Sequence, residues 1–206
     1  MRQEYSQRGL LEADLAPTWL VQLERWLADA GAAGLPEPNA MVLATADERG
    51  RPSARTVLLK GLDERGLVFF TNLDSRKAGE LAANPFASVV FPWHPMGRQV
   101  LVGGGVREVD RAETEAYFAT RPRDSRLGAW ASPQSRVVPD RADLDRRLAE
   151  VTERFRDQEI PAPPHWGGLR IEPETVEFWQ GGVGRLHDRL RYRRERDVWL
   201  TERLGP

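Results

Sequence analysis

Residues 40–72 read AMVLATADERGRPSARTVLLKGLDERGLVFFTN, and the spacing within this stretch decides the fold. Ala40–Ala46 is an uncharged run of small and branched residues. The tetrapeptide Asp47–Glu48–Arg49–Gly50 stops it. Ser53–Lys60 is a second extended run, and the same tetrapeptide recurs at Asp63–Glu64–Arg65–Gly66 before Leu67–Thr71. Runs of strand length separated by short polar turns ending in glycine make antiparallel hairpins. Parallel strands would need about a dozen or more residues for each crossover.

The pattern extends in both directions. Toward the N-terminus, Pro17 opens an amphipathic helix with Trp19, Leu20, Leu23, Trp26, Leu27 and Ala30 at helical spacing, and Gly31 and Gly34 are placed to end it. Residues 1–15 form a polar N-terminal arm, ordered only where something docks it. Toward the C-terminus, a short helix over 75–83 stops at Asn84–Pro85, and strands are predicted at 87–91 and 98–109. Residues 111–130 are helical, with a break at Arg121–Pro122. A charged helix over 140–157 places Leu144, Leu148, Val151 and Phe155 on one face. Pro161, Pro163 and Pro164 stiffen the connection to further strands at 168–179, 185–193 and 198–203. The expected fold is mainly β with peripheral helices (α+β): one antiparallel sheet closed into a barrel, in a single domain over 1–206.

Composition narrows the chemistry. The chain has 206 residues, a formal net charge of −1 and no cysteine, which excludes thiolate catalysis, iron–sulfur clusters and disulfides. Near-neutral charge argues against a nucleic-acid or membrane partner. Met1 is followed by polar Arg2–Gln3–Glu4–Tyr5 with no apolar leader, so a cytoplasmic location is expected. His94, His165 and His187 lack metal-ligand spacing. Gly103–Gly104–Gly105 is no dinucleotide fingerprint, and neither a Walker A motif nor a G-x-S-x-G elbow is present. An enzyme built this way leaves its hard chemistry to an organic cofactor.

Four clusters carry anion-binding chemistry. Of the 30 basic residues only Lys60 and Lys77 are lysine, and a compact ammonium binds anions differently from a guanidinium. Arg76 and Lys77 occupy the first turn of the 75–83 helix, with Asp74 or Ser75 as cap. Cations oppose the helix dipole there, which suits a bound phosphate; two solvated charges are the plainer reading. Arg185, His187, Arg189 and Arg191 alternate, so on a strand they share one face. That face is either a ligand face, with Gly181, Gly182 and Gly184 allowing close approach, or a charged edge strand. Arg55 and Lys60 have opposite strand parity, so they cannot both enter one pocket from mid-strand; they would reach separate groups or sit at the strand's two ends. Tyr117, Arg121 and Ser125 follow at helical spacing, near the polar pair Gln134–Ser135.

Several longer strings go further: RTVLLKG at 55–61, FFTNLDSRKA at 69–78, FPWH at 91–94, RQV at 98–100, YF at 117–118, RPRDSRLGAW at 121–130, QS at 134–135, WGG at 166–168, EFWQGG at 177–182 and RLHDR at 185–189. Together they resemble the pyridoxine/pyridoxamine 5′-phosphate oxidase family over nearly the whole chain. The resemblance implies an FMN-binding split β-barrel homodimer with the flavin at the subunit interface, oxidising pyridoxamine 5′-phosphate and pyridoxine 5′-phosphate with O2. It implies that Arg55, Thr56, Val57, Leu58, Leu59, Lys60, Phe70, Thr71, Arg76, Lys77, Gln99, Gln134, Ser135, Trp179 and Arg189 hold FMN. Lys60, Tyr117, Arg121 and Ser125 would grip the substrate phosphate, Arg185 and His187 would act over the substrate ring, and Arg2 and Tyr5 would close the pocket. The family often carries Tyr where this chain has Phe70, so any hydroxyl bond made there is lost. The competing expectation is a split-barrel flavin protein that is non-catalytic or acts on another substrate; it would not need the phosphate grip.

Overall fold

The computed structural model describes residues 9–206; Arg2 and Tyr5 lie outside the described residues. Among the described residues nine strands form one antiparallel sheet: β1 (Ala40–Ala46), β2 (Pro52–Leu58), β3 (Gly61–Asp63), β4 (Gly66–Asn72), β5 (Phe86–Trp93), β6 (Arg98–Glu108), β7 (Trp166–Gln180), β8 (Asp188–Glu195) and β9 (Val198–Arg203). The helices are α1 (Trp19–Ala32), α2 (Arg76–Ala83), α3 (Arg111–Ala119), α4 (Arg123–Ala131) and α5 (Arg141–Arg154). The two tetrapeptide turns do join antiparallel pairs, with Ala40 opposite Leu58 across the first and Asp63 opposite Gly66 across the second.

The sheet runs β2-β1-β5-β6-β7-β4-β3, and β7 divides it. One edge of β7 pairs with β6 along most of its length. Its other edge pairs with β4 through residues 166–171 and with β8 through residues 175–180. The changeover falls at Pro173, which has no N–H to give a ladder. The β6–β7 register shifts at the same level, so that Gly103 faces Thr175 and Gly104 faces Pro173. A Cβ on Gly104 would lie 2.0 Å from the Glu172 carbonyl oxygen, so this bulge requires glycine. The result is a curled half-barrel whose halves part at β7.

Alternation along β1 and β5 sends Met41, Leu43, Val89 and Phe91 into the core. Helix α1, capped by the Thr18 side chain accepting from the Val21 N–H, closes that core with Trp19, Leu23 and Trp26. Trp26 meets Phe178 edge-on at 5.2 Å. Full burial of each such side chain is worth about 1.5–3 kcal/mol. A second cluster of Phe118, Leu127, Phe155, Ile160 and Trp166 fixes α3, α4 and α5 over the β4 end of the sheet.

The structure corrects several boundaries. α1 continues through Gly31, since its apolar face stays packed to Ala30. β2 ends at Leu58, and Lys60 lies past it, donating its N–H to the Val68 carbonyl. The short strand β3 was not anticipated. In α5, Leu148 is exposed although it shares the expected apolar face. The predicted strand from Arg185 begins only at Asp188: Gly184 and Arg185 have φ of 63° and 65°, and a left-handed backbone cannot extend a strand. Arg185 and His187 therefore do not share the strand face of Arg189 and Arg191. Within the N-terminal arm, Leu10 is buried and its N–H donates to Asp188 Oδ2 at 3.0 Å.

Candidate functional site

A cavity of about 530 Å³ opens between β2, β4, the start of α2, and the α3–α4 corner. That volume suits a cofactor or substrate. Its walls collect Arg55, Thr56, Val57, Leu58, Lys60, Phe70, Thr71, Lys77, Tyr117, Arg121, Ser125 and Gln134, twelve residues singled out from the sequence. Lys60 and Arg55 share it despite their parity, because Lys60 has left the strand.

One pole is built on Lys77. Its Nζ donates to Gln134 Oε1 at 2.7 Å, Thr71 Oγ1 at 3.0 Å and Ser75 Oγ at 3.4 Å, every partner neutral. Burial, aided by the Arg55 charge, pulls its pKa down to about 8. Asn72 Oδ1 accepts the Asp74 N–H at 2.7 Å and turns the chain into α2, while the Ser75 hydroxyl makes no capping bond to the helix. Arg55 extends from β2 beside Lys77. Its Nη1 donates to Thr45 Oγ1 and the Leu43 carbonyl, and its Nη2 donates to Ser53 Oγ and, at 3.2 Å, to Glu80 Oε2.

The other pole lies against aromatic rings. Phe70 stacks on Tyr117 at 4.1 Å and on Trp166 at 5.2 Å, all three planes nearly parallel. The Arg121 guanidinium sits 4.7 Å from the Trp166 ring centre. Its Nη1 is buried and has no hydrogen-bond partner; among the described residues only Arg126 Nε shares that condition. Burial also lowers the Arg121 pKa. Leaving such a donor unpaired costs about 1–3 kcal/mol, which a protein retains where a ligand completes the bond.

The remaining candidates lie elsewhere. Leu59 is buried in the core. Arg76 is largely exposed and donates to Glu80 Oε1 at 2.7 Å. Ser135 is exposed, with φ of 68°. Gln99, Trp179 and Arg189 are register partners across β6, β7 and β8. The His187 ring lies 4.7 Å from that of Trp179, and its Nδ1 accepts the Gly182 N–H at 3.1 Å, so the neutral ring carries its proton on Nε2. Arg185 is exposed on the turn between Val183 and Leu186. Arg189 is neutralised by Glu177 through bonds of 2.7 and 3.0 Å, and Arg191 by Glu202. These carboxylates relieve the repulsion expected along the strand.

Trp166 lines the cavity and Trp179 carries the second group, at opposite ends of β7. About 40 Å of extended strand separates them. Sequence reasoning missed Asn72, Ser132 and Trp166 as cavity walls, and missed the buried carboxylate of Glu80. Its only sequence signal was the four-residue spacing from Arg76.

Comparison with known proteins identifies the family. The family model described as pyridoxamine 5′-phosphate oxidase matches residues 27–155, and that for the pyridoxine 5′-phosphate oxidase C-terminal dimerisation region matches residues 166–206. A pyridoxine/pyridoxamine 5′-phosphate oxidase of Salinispora arenicola is 60% identical, covering all of this chain and 95% of the relative. That of Synechocystis is 53% identical, covering all of this chain and 96% of the relative. Among solved structures, PhzG from Burkholderia lata, in complex with tetrahydrophenazine-1-carboxylic acid, is 35% identical with a TM-score of 0.90, covering 96% of this chain and 98% of that one. A pyridoxamine 5′-phosphate oxidase-related, FMN-binding protein from Nostoc punctiforme shares the fold, with a TM-score of 0.74 at 21% identity over 93% of this chain and 99% of that one. With its β7-divided half-barrel and full-length likeness to these oxidases, the chain belongs to the pyridoxamine 5′-phosphate oxidase family.

Proposed function

We propose that the protein oxidises pyridoxamine 5′-phosphate and pyridoxine 5′-phosphate to pyridoxal 5′-phosphate, with FMN as cofactor and O2 as terminal acceptor. The observation that carries this reading is one cavity whose walls gather four cations, Arg55, Lys60, Lys77 and Arg121. Two phosphate-bearing molecules would need charge of that amount. The residues fit FMN: Lys77 is a buried cation with only neutral hydrogen-bond partners, and Arg121 Nη1 is an unpaired donor for the second phosphate.

Bound FMN supplies a two-electron acceptor for the substrate 4′ carbon, and O2 takes the electrons on to hydrogen peroxide. Arg55, Lys77 and Thr71 would hold its phosphate, with Arg76 adding charge from outside the cavity. Thr56, Val57, Leu58, Phe70 and Gln134 would line its length. Lys60, Tyr117, Arg121 and Ser125 would take the substrate phosphate through charge-assisted bonds. The Phe70–Tyr117–Trp166 wall keeps Arg121 poised and excludes water. Gln99, Trp179, Arg185, His187 and Arg189 would complete the site from a second copy of the chain, since β7 holds them far from the cavity of their own. A homodimer follows, and Val183 and Leu186, exposed beside Arg185, suit burial against the partner. His187, held through Nδ1 by the Gly182 N–H, would orient the substrate ring. Holding the 4′ carbon in register with the acceptor is the protein's main contribution.

Anaerobic titration of the FMN-loaded protein with pyridoxamine 5′-phosphate tests this. Bleaching of the visible flavin band, reversed by air, supports both half-reactions. A band that stays oxidised in excess substrate refutes the oxidase reading. The likeness to PhzG favours a second reading, oxidation of an unphosphorylated carboxylic acid. Bleaching by such an acid and not by the phosphate ester would establish it.

A further inference from the structure

Glu80 is a carboxylate at the back of a phosphate-type site, where its charge has the wrong sign for holding an anion. Its side chain is only 5% exposed. Ser53 Oγ donates to Oε2 at 2.6 Å, Thr45 Oγ1 makes a shorter bond to the same oxygen, and Arg55 Nη2 lies 3.2 Å away. Arg76 Nε donates to Oε1 at 2.7 Å. One buried carboxylate thus ties together two guanidinium groups from different elements, β2 and α2. Burial opposes its charge, but the bonds from Ser53, Thr45, Arg76 and Arg55 outweigh burial and hold its pKa at about 2.

We propose that Glu80 is a positioning residue for the cofactor phosphate, setting the Arg55 guanidinium so that it and Lys77 face one anion together. The argument rests on the reading that Arg55 and Lys77 hold the FMN phosphate. Two further observations point the same way. Among the described residues Arg55 has no carboxylate partner but Glu80; its other acceptors there are the Thr45 and Ser53 hydroxyls and the Leu43 carbonyl, and both hydroxyls are themselves bonded to Glu80. The cluster also balances in charge. Arg55, Arg76 and Lys77 with Glu80 carry a net of about +2, which matches a phosphate monoester at neutral pH, about −1.5 to −2. Without Glu80 the three cations would face one another uncompensated, and the guanidinium would be free to turn toward solvent.

The sign of one binding change separates positioning from simple charge. Removing a negative group near a bound anion tightens binding if only charge matters; it weakens binding if the carboxylate sets the geometry. FMN and riboflavin, which lacks the phosphate, are titrated into the apo full-length protein, following quenching of flavin fluorescence. For Glu80→Gln we expect FMN affinity to fall about tenfold or more, as for loss of a charge-assisted contact. Riboflavin affinity should be unchanged. In an Arg55→Ala background the same substitution should add little, because its effect passes through Arg55. Tighter FMN binding, an equal loss for both flavins, or a full effect in the Arg55→Ala background would each overturn the proposal. Ser53→Ala, which keeps every charge, serves if Glu80→Gln fails to fold; it should weaken FMN alone, and an unchanged FMN affinity would count against positioning. If Arg55→Ala itself fails to discriminate FMN from riboflavin, the assignment of the phosphate to Arg55 and Lys77 is what has failed.

Discussion

Replacing Arg121 by Met should weaken substrate recognition while leaving the protein as stable as before, or more so. Arg121 Nη1 is buried with no partner, which costs the free protein about 1–3 kcal/mol. Met keeps an apolar stem of similar length, so most of the packing against Phe118 and Trp166 survives. What is lost is the cation–π contact with Trp166, at 4.7 Å, worth about 0.5–2 kcal/mol. The balance centres near +1 kcal/mol. For a chain of this size that raises Tm by about 2–4 °C. With the phosphorylated substrate bound, the missing charge-assisted bond costs about 1.5–3 kcal/mol, a KM increase of roughly 10- to 150-fold. Melting of the apo protein and steady-state peroxide release with pyridoxamine 5′-phosphate measure the two effects. A Tm lowered by more than about 4 °C with KM unchanged would show that Arg121 is a structural cation and refute the reasoning.

Lys60→Ala should likewise raise KM for the phosphate ester, by about 1.5–3 kcal/mol of lost binding; an unaltered KM removes Lys60 from the phosphate site. Arg185→Ala should lower turnover more than FMN affinity, and unchanged turnover would take Arg185 out of the chemistry. FMN affinity should fall as pH rises through about 8, the pH at which buried Lys77 loses its proton in the free protein. Stability of the apo protein runs the other way. Between about 8 and the ordinary lysine value of 10.5 the unfolded chain holds the extra proton, so the Lys77 contribution to stability rises with pH there. Fluorescence titrations from pH 7 to 9.5 test the first point, and a slope that persists in Lys77→Met would contradict it.

The separation of the two residue groups along β7 gives the dimer a physical reason within this chain. Trp179 in the C-terminal half of β7, Arg185 and His187 in the connection that follows it, and Arg189 in β8 all lie within the matched dimerisation region. The first half of β7 carries Trp166 into the cavity. Under the proposed assignment, the far end of the strand serves the cavity of a second copy rather than its own.

Much of this protein was legible in residue order alone. Alternating apolar runs and the repeated Asp-Glu-Arg-Gly turns dictated antiparallel hairpins, because side-chain direction on a strand and chain reversal at glycine are local properties. Twelve of the cavity's residues were likewise named beforehand, the cations, Tyr117, Ser125 and Gln134 from charge and polar groups and the others only through the resemblance to the family. Other features were settled only in three dimensions. The strand predicted from Arg185 failed because Gly182 packs against the Leu186 carbonyl and the two residues between Val183 and Leu186 adopt left-handed φ. Arg189 and Arg191, cations by sequence, are neutralised by Glu177 and Glu202 from neighbouring strands. Glu80 is invisible as a site residue until β2 is laid against α2. Charge and periodicity are written along the chain, whereas pairing, burial and the unmet hydrogen bond of Arg121 depend on which distant segments fold together, and local sequence carries no record of that.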